Sequence, residues 1–275
     1  MTEEFIQTSI ENGVGYLTFN RPRALNAFNN LMMHECMAAM DRFAADDDVK
    51  TVIVQGKGRA FSAGFDLKAS ADRNLDSVDK VRAQMALQFD FIVKFWDCPK
   101  PTIAVAHGYC LAGAFELALA CDITVAAEGT MFGEPEVRFG TGIVAMLLPW
   151  ITGPKQAKEL LLTGDDRVSA EDALRMGIVN CVVPSGEALP KAKSMARKMV
   201  KSAAVSVQLT KQAINRSYEI MGLRQALLTS LDIDVEINAT PSWEKREFAR
   251  IRKEQGVKAA IAWRDGRFTG DSNSA

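Results

Sequence analysis

The chain has 275 residues, 48% of them hydrophobic and 24% charged, with a formal net charge of −1. That balance describes an ordinary globular protein and gives no global electrostatic reason to expect nucleic acid or an anionic membrane as a partner. Cys36, Cys98, Cys110, Cys121 and Cys181 are scattered without CxxC spacing, and their odd number argues for free thiols in a reducing compartment. The first ten residues hold two acids and no apolar signal core, the terminal NSA is no peroxisomal or retention tail, and no run approaches the ~20 apolar residues of a membrane span. A cytoplasmic protein that does not cross a membrane is expected.

Along the chain, Phe5 to Ile10 and Val14 to Phe19 alternate apolar and polar residues around Asn12-Gly13, a strong hairpin signal. Leu31 to Phe43 places Met32, Cys36, Met40 and Phe43 at helical spacing. Thr51 to Val54 predicts a buried strand, and Ala60 to Lys68 a small-residue turn entering a helix. Ala69 to Lys80 is polar and aperiodic and predicts a mobile loop, with a helix from about Val81 to Trp96 after it. Pro101 to Asp122, PTIAVAHGYCLAGAFELALACD, repeats the strand, glycine turn and helix plan. Thr102 to Ala106 is its strand, Gly108 and Gly113 mark the turn, and Ala114 to Ala120 are good helix formers. Glu116, set among Ala, Phe and Leu, is either a surface charge of the first turn or a buried group with a task.

Strands are expected at Ile123 to Ala126, Met131 to Gly133 and Asn180 to Val183, and such regularly spaced βα units predict a layered α/β core. Ser169 to Asp172 is a capping box with Asp in place of Glu. Residues 187–263 read as amphipathic helices, which divides the chain into a core over 1–186 and a helical region over 187–275.

His34 and His107 are the two histidines, and no HExxH, paired CxxC or clustered His/Asp pattern suggests a metal. There is no GxSxG elbow. Gly140 to Ala145 formally matches GxGxxA, but it follows no clear strand and runs into Pro149 instead of a long helix. Glu134 and Glu136 flank Pro135, which in isolation reads as an exposed acidic turn.

Taken together, five segments in order resemble the crotonase, or enoyl-CoA hydratase/isomerase, superfamily. They are Asn20 to Ala27, Ala60 to Lys68, Ala106 to Asp122, Phe132 to Gly140 and Leu161 to Val183, and the resemblance covers roughly residues 13–187. It implies a spiral of repeated ββα units with a C-terminal helical oligomerisation region. It implies an acyl-CoA thioester as substrate, with coenzyme A part of that substrate and no separate cofactor. The chemistry implied is hydration of the 2,3 double bond of an enoyl-CoA, a lyase reaction of fatty-acid β-oxidation. An isomerase, another acyl-CoA lyase or hydrolase, and a non-catalytic acyl-CoA- or RNA-binding member are the alternatives.

Carried over by position, the backbone N–H groups of Phe65 and Gly113 would form the oxyanion hole, and Glu116 and Glu136, twenty residues apart, would be the catalytic acids. Ala24, Ala63, Phe65, Asp66, Leu67 and Lys68 would contact the substrate. A homotrimer or a hexamer of paired trimers is implied. Glu244 to Arg267 carries eight Lys/Arg against four Asp/Glu, which suits a neighbour's CoA phosphates. One departure stands out: Ile143 to Leu147 replaces a glycine-rich segment common in hydratases, at a place expected near the acyl chain.

Overall fold

A computed structural model describes residues 5–71 and 75–268. The chain opens with β1 (Ile6–Glu11) and β2 (Val14–Phe19), paired antiparallel through Asn12 and Gly13, both at positive φ (51° and 80°). That is the twist-matched two-residue turn an Asn-Gly pair favours. A 3₁₀ turn (Pro22–Ala24), α1 (Asn30–Ala45) and β3 (Thr51–Gly56) follow. Next come α2 (Leu67–Ala71), α3 (Val78–Trp96), β4 (Thr102–Ala106), β5 (Tyr109–Leu111), α4 (Gly113–Ala120), β6 (Ile123–Ala127) and β7 (Met131–Gly133). A second 3₁₀ turn (Glu136–Phe139) leads to α5 (Leu148–Thr152), α6 (Pro154–Thr163), β8 (Val168–Ser169), α7 (Ala170–Arg175) and β9 (Cys181–Val183). Five helices end the described chain: α8 (Ala188–Lys201), α9 (Ala204–Ile220), α10 (Leu223–Ala239), α11 (Trp243–Gln255) and α12 (Val257–Gly266).

Six strands form one sheet in the order β1-β2-β3-β4-β6-β9, parallel from β2 onward. A smaller sheet, β5-β7-β8, lies apart from it. Successive turns of the chain give a strand to the large sheet and then one to the small sheet: β4 then β5, β6 then β7. In the turn before, β3 is followed only by a single parallel bridge from Ser62 to Cys110 of β5. This is the predicted ββα spiral.

The central strands are buried on both faces, as parallel sheets require. Leu17, Phe19, Val52, Val54, Ala104 and Ala106 face the main core, while Val14, Tyr16, Ile53, Ile103, Val105 and Val125 face the opposite layer. Ala188, Ala192 and Ala196 of α8 cover that layer, small residues at helical spacing that let the helix sit close to the strands. The first helix of the C-terminal region is thus part of the sheet's packing.

Two sequence expectations are refined. The helix predicted from Val81 starts at Val78, because Ser77 caps it by accepting the Lys80 N–H at 3.3 Å. Of the loop predicted over 69–80, Ala69 to Ala71 end α2 and Val78 to Lys80 begin α3, while residues 72–74 lie outside the described residues. Ser169 caps α7 as expected, accepting the Asp172 N–H at 3.0 Å, and its hydroxyl donates to the Asp172 carboxylate at 2.6 Å.

Asn26 holds the first glycine turn against the sheet. It is fully buried at φ 56°, a left-handed conformation that Asn tolerates better than most residues. Its Nδ2 donates to the carbonyls of Lys57, Ala60 and Phe61 at 2.9, 2.8 and 3.2 Å, and its own carbonyl accepts the Ser62 hydroxyl at 2.9 Å. Below the turn, Phe19, Phe28 and Phe91 meet edge to face with centroids about 5 Å apart.

Candidate active site

Two chain reversals meet at the centre of the molecule. In the first, the Phe28 N–H donates to the Gly64 carbonyl at 2.8 Å and the Asp66 N–H to the Phe28 carbonyl at 2.9 Å. This strand-like pairing uses the groups on either side of the Phe65 N–H. In the second, the Ala112 N–H donates to the Gly133 carbonyl at 2.8 Å, and Ala112 takes φ 56°, ψ −137° before α4 begins at Gly113. A non-glycine residue there costs on the order of 1–3 kcal/mol and persists where the surroundings enforce it. Among the described residues, neither the Phe65 N–H nor the Gly113 N–H finds an acceptor.

The reversals approach closely at Gly64, and the Phe65 ring lies against Gly113. A Cβ on Gly64 would lie 2.6 Å from the Ala112 Cβ and 3.1 Å from the Gly113 nitrogen. A Cβ on Gly113 would lie 2.4 Å from the Phe65 ring. Both glycines are therefore required by close approach, and Gly64 also by φ 83°. Gly113 is the first residue of a helix, so its N–H points out at the positive end of the dipole.

Every residue of α4 is buried, Glu116 included at 1% exposure. Its Oε1 accepts the Val144 N–H at 3.2 Å and its Oε2 the Ala145 N–H at 2.9 Å. The segment that lacks glycines thus holds the first candidate acid through its backbone. Glu134 (1% exposed), Glu136 (7%) and Asp234 of α10 (1%) complete a group of four buried acids. Burial raises the Glu116 carboxyl well above the usual range, and the Glu136 charge adds to this while the two N–H donors oppose it. Burial also raises Glu134 strongly, reinforced by the Glu136 and Glu116 charges. Glu136 is pushed up to about 7 by burial, against a hydrogen bond with Glu134, its own N–H and the Arg264 charge. Asp234 likewise reaches about 7 through burial, opposed by the Asn238 amide and by Lys245.

The sequence-predicted acids Glu116 and Glu136 lie close enough to interact, and the predicted donors Phe65 and Gly113 are adjacent. The other predicted contact residues lie on the first turn in differing states. Ala24 and Lys68 are exposed, and Ala63 is half-buried with its N–H on the Leu25 carbonyl at 3.0 Å. The Asp66 carboxylate pairs with Arg21 at 2.9 Å and caps α2 through the N–H groups of Lys68 and Ala69, so its charge is engaged within the chain. Leu67 packs against the cluster of Phe139, Phe248, Ile251 and Ala260, and its carbonyl accepts from Arg252 at 3.0 Å.

Three polar residues escaped the sequence reading. Glu134 reads in isolation as one half of an exposed acidic turn, and the fold buries it. Asp234 comes from a helix far along the chain. Its signal was an acid set within the buried stripe Leu223, Leu227, Leu231 and Val235. Arg264 of α12 is buried on Asp166 (3.1 Å) and Asp265 (2.7 Å) and lies over the Phe139 ring. With Phe248 stacked on Phe139 at 5.1 Å, α11 and α12 fold back on the chain's own Glu136–Phe139 turn.

The ββα spiral is the fold of the crotonase class. The sequence model of the enoyl-CoA hydratase/isomerase family matches residues 9–254. A solved enoyl-CoA hydratase/isomerase from Xanthobacter autotrophicus Py2 is 48% identical, with TM-score 0.95 over 97% of this chain and 99% of that one. A probable enoyl-CoA hydratase of Mycobacterium tuberculosis is 34% identical over 98% of this chain and 99% of its own. The short-chain-enoyl-CoA hydratase of Clostridium acetobutylicum is 36% identical over 76% and 80%. The chain belongs to the enoyl-CoA hydratase/isomerase family of enzymes.

The buried acids predict a pH dependence of stability. Glu136 and Asp234 titrate about 7 in the fold, above their ordinary values, so between those values and pH 7 the folded state binds more protons than the unfolded chain. Their stabilising contribution is present in acid and is lost as pH rises through 7. The melting temperature should fall from pH 6 to pH 8, and the fall should shrink in Glu136→Gln and Asp234→Asn. An unchanged slope in both variants would contradict the assignment.

Proposed function

We propose that the chain is an enoyl-CoA hydratase, adding water reversibly and on one face across the 2,3 double bond of an enoyl-CoA thioester. What supports this reading is the burial of two carboxyls, Glu116 and Glu136, in a molecule that also presents the unpaired Phe65 and Gly113 N–H groups. In the reaction the water oxygen bonds to C3 as one carboxylate takes a proton from it. The π electrons move through C2 onto the thioester oxygen, where the two N–H groups stabilise the charge. The other carboxyl delivers its proton to C2 as the thioester carbonyl re-forms, and return of the proton between the acids restores the site. Carboxyls raised toward or above neutrality suit such transfers near pH 7. Coenzyme A enters as part of the substrate along the first turn, from Ala24 and Ala63 to Lys68.

Glu116→Gln and Glu136→Gln should each lower kcat by roughly 10²-fold or more. Loss of the conjugated thioester's ultraviolet absorbance reads this out across short, branched and aromatic enoyl-CoAs. Near-normal hydration in either variant would sink the two-acid mechanism.

The same reading includes assembly into trimers or paired trimers. Lys211 is the only buried residue of α9, whose Val205, Leu209, Ile214 and Ile220 are exposed, as are Leu228 and Ile233 of α10. Apolar surface of this kind usually marks an interface. Among the described residues no helix is long and apolar enough to cross a membrane. Light scattering should give the mass of a trimer or hexamer, and a clean monomer at micromolar concentration would remove the case.

A further inference from the structure

Glu134 has no part in the two-acid reaction, yet it is as buried as Glu116. Its backbone is clamped: the Glu134 N–H donates to the Asp165 carbonyl at 2.9 Å, and a Cβ on the preceding Gly133 would strike that same carbonyl at 2.1 Å. The clamp leaves its side chain facing that of Glu136, two residues on across Pro135. Each of the two residues has a buried Oε2 that receives no N–H or hydroxyl hydrogen. Two carboxylates in that state repel, and a proton held between them relieves that repulsion.

The charged surroundings decide which residue keeps the proton. Facing Glu134 are Glu116 of α4, Glu136 and the buried Cys110 thiol of β5. Facing Glu136 are Glu134, Asp234 of α10 and Arg264 of α12, whose guanidinium already serves Asp166 and Asp265. The one cation therefore lies on the Glu136 side, and Glu136 also accepts its own N–H. Glu134 has no such support.

Resting on the hydratase reading above, we propose that Glu134 is a positioning residue. It stays protonated at neutral pH and donates a hydrogen bond to the Glu136 carboxylate, fixing that side chain and lowering its proton affinity. An amide can replace a protonated carboxyl as this donor; an alkyl group cannot.

Glu134→Gln and Glu134→Leu test this. Glu134→Gln should retain most of kcat and keep the pH inflection that belongs to Glu136. Glu134→Leu should lose about 10-fold or more, the scale of a hydrogen bond to a charged group, and its inflection should move to higher pH. Equal damage in both variants, or an unmoved inflection in Glu134→Leu, would overturn the proposal. A second readout needs no activity. The infrared difference between wild type and Glu134→Gln at pH 8 should show loss of a protonated-acid C=O band. Loss of a carboxylate band instead overturns the assignment, even if the wild type hydrates no enoyl-CoA.

Discussion

The site depends on the direct contact of two backbone reversals, at Gly64 and at Ala112-Gly113. Each reversal alone is a common strand-to-helix turn. Brought together they leave two N–H groups without acceptors, and a Cβ on Gly64 or Gly113 would overlap the opposite turn or the Phe65 ring. The fold maintains this contact at a cost. Ala112 sits in a sparsely populated backbone region, while the two Asn26 amide hydrogens, shared among three carbonyls, hold the first turn. Unpaired donors in a buried setting are unfavourable at rest and become useful when an oxygen gathers charge in front of them.

The second constraint is the burial of four acids with one arginine nearby. Ionising all of them in a low-dielectric interior is prohibitive, so the group carries protons into the neutral range. Backbone donors from Val144 and Ala145 hold Glu116, while Glu136 draws on its own N–H, Glu134 and Arg264. The two candidate acids are thus tuned by different means. The replacement of a glycine-rich segment by Ile143 to Leu147 leaves this support intact, because N–H donors do not depend on the side chain attached.

Much of this was legible in the sequence because it is local. Asn12-Gly13 dictates the hairpin, Gly113 and Glu116 sit one helical turn apart, and the strand-turn-helix plan recurs within short segments. The positions of Asp234 and Arg264 were not legible, since both arrive from helices about a hundred residues further on and short-range pattern carries no record of such meetings. Glu134 was misjudged for a related reason: acids around a proline usually face water, and only the packing of the 165–166 loop and the C-terminal helices covers this turn. The start of α3 at Val78 is a different case: Ser77 caps the helix inside a stretch whose polarity reads as loop.

The central claim is that the Phe65 and Gly113 N–H groups grip a thioester oxygen. The most direct measurement is the carbonyl stretch of an enoyl-CoA labelled with ¹³C at C1, recorded free and bound to Glu116→Gln, where turnover is slow. Binding should lower the frequency, because hydrogen bonds from both amides polarise the carbonyl. A bound thioester whose carbonyl stretch stays at its free value would contradict the account.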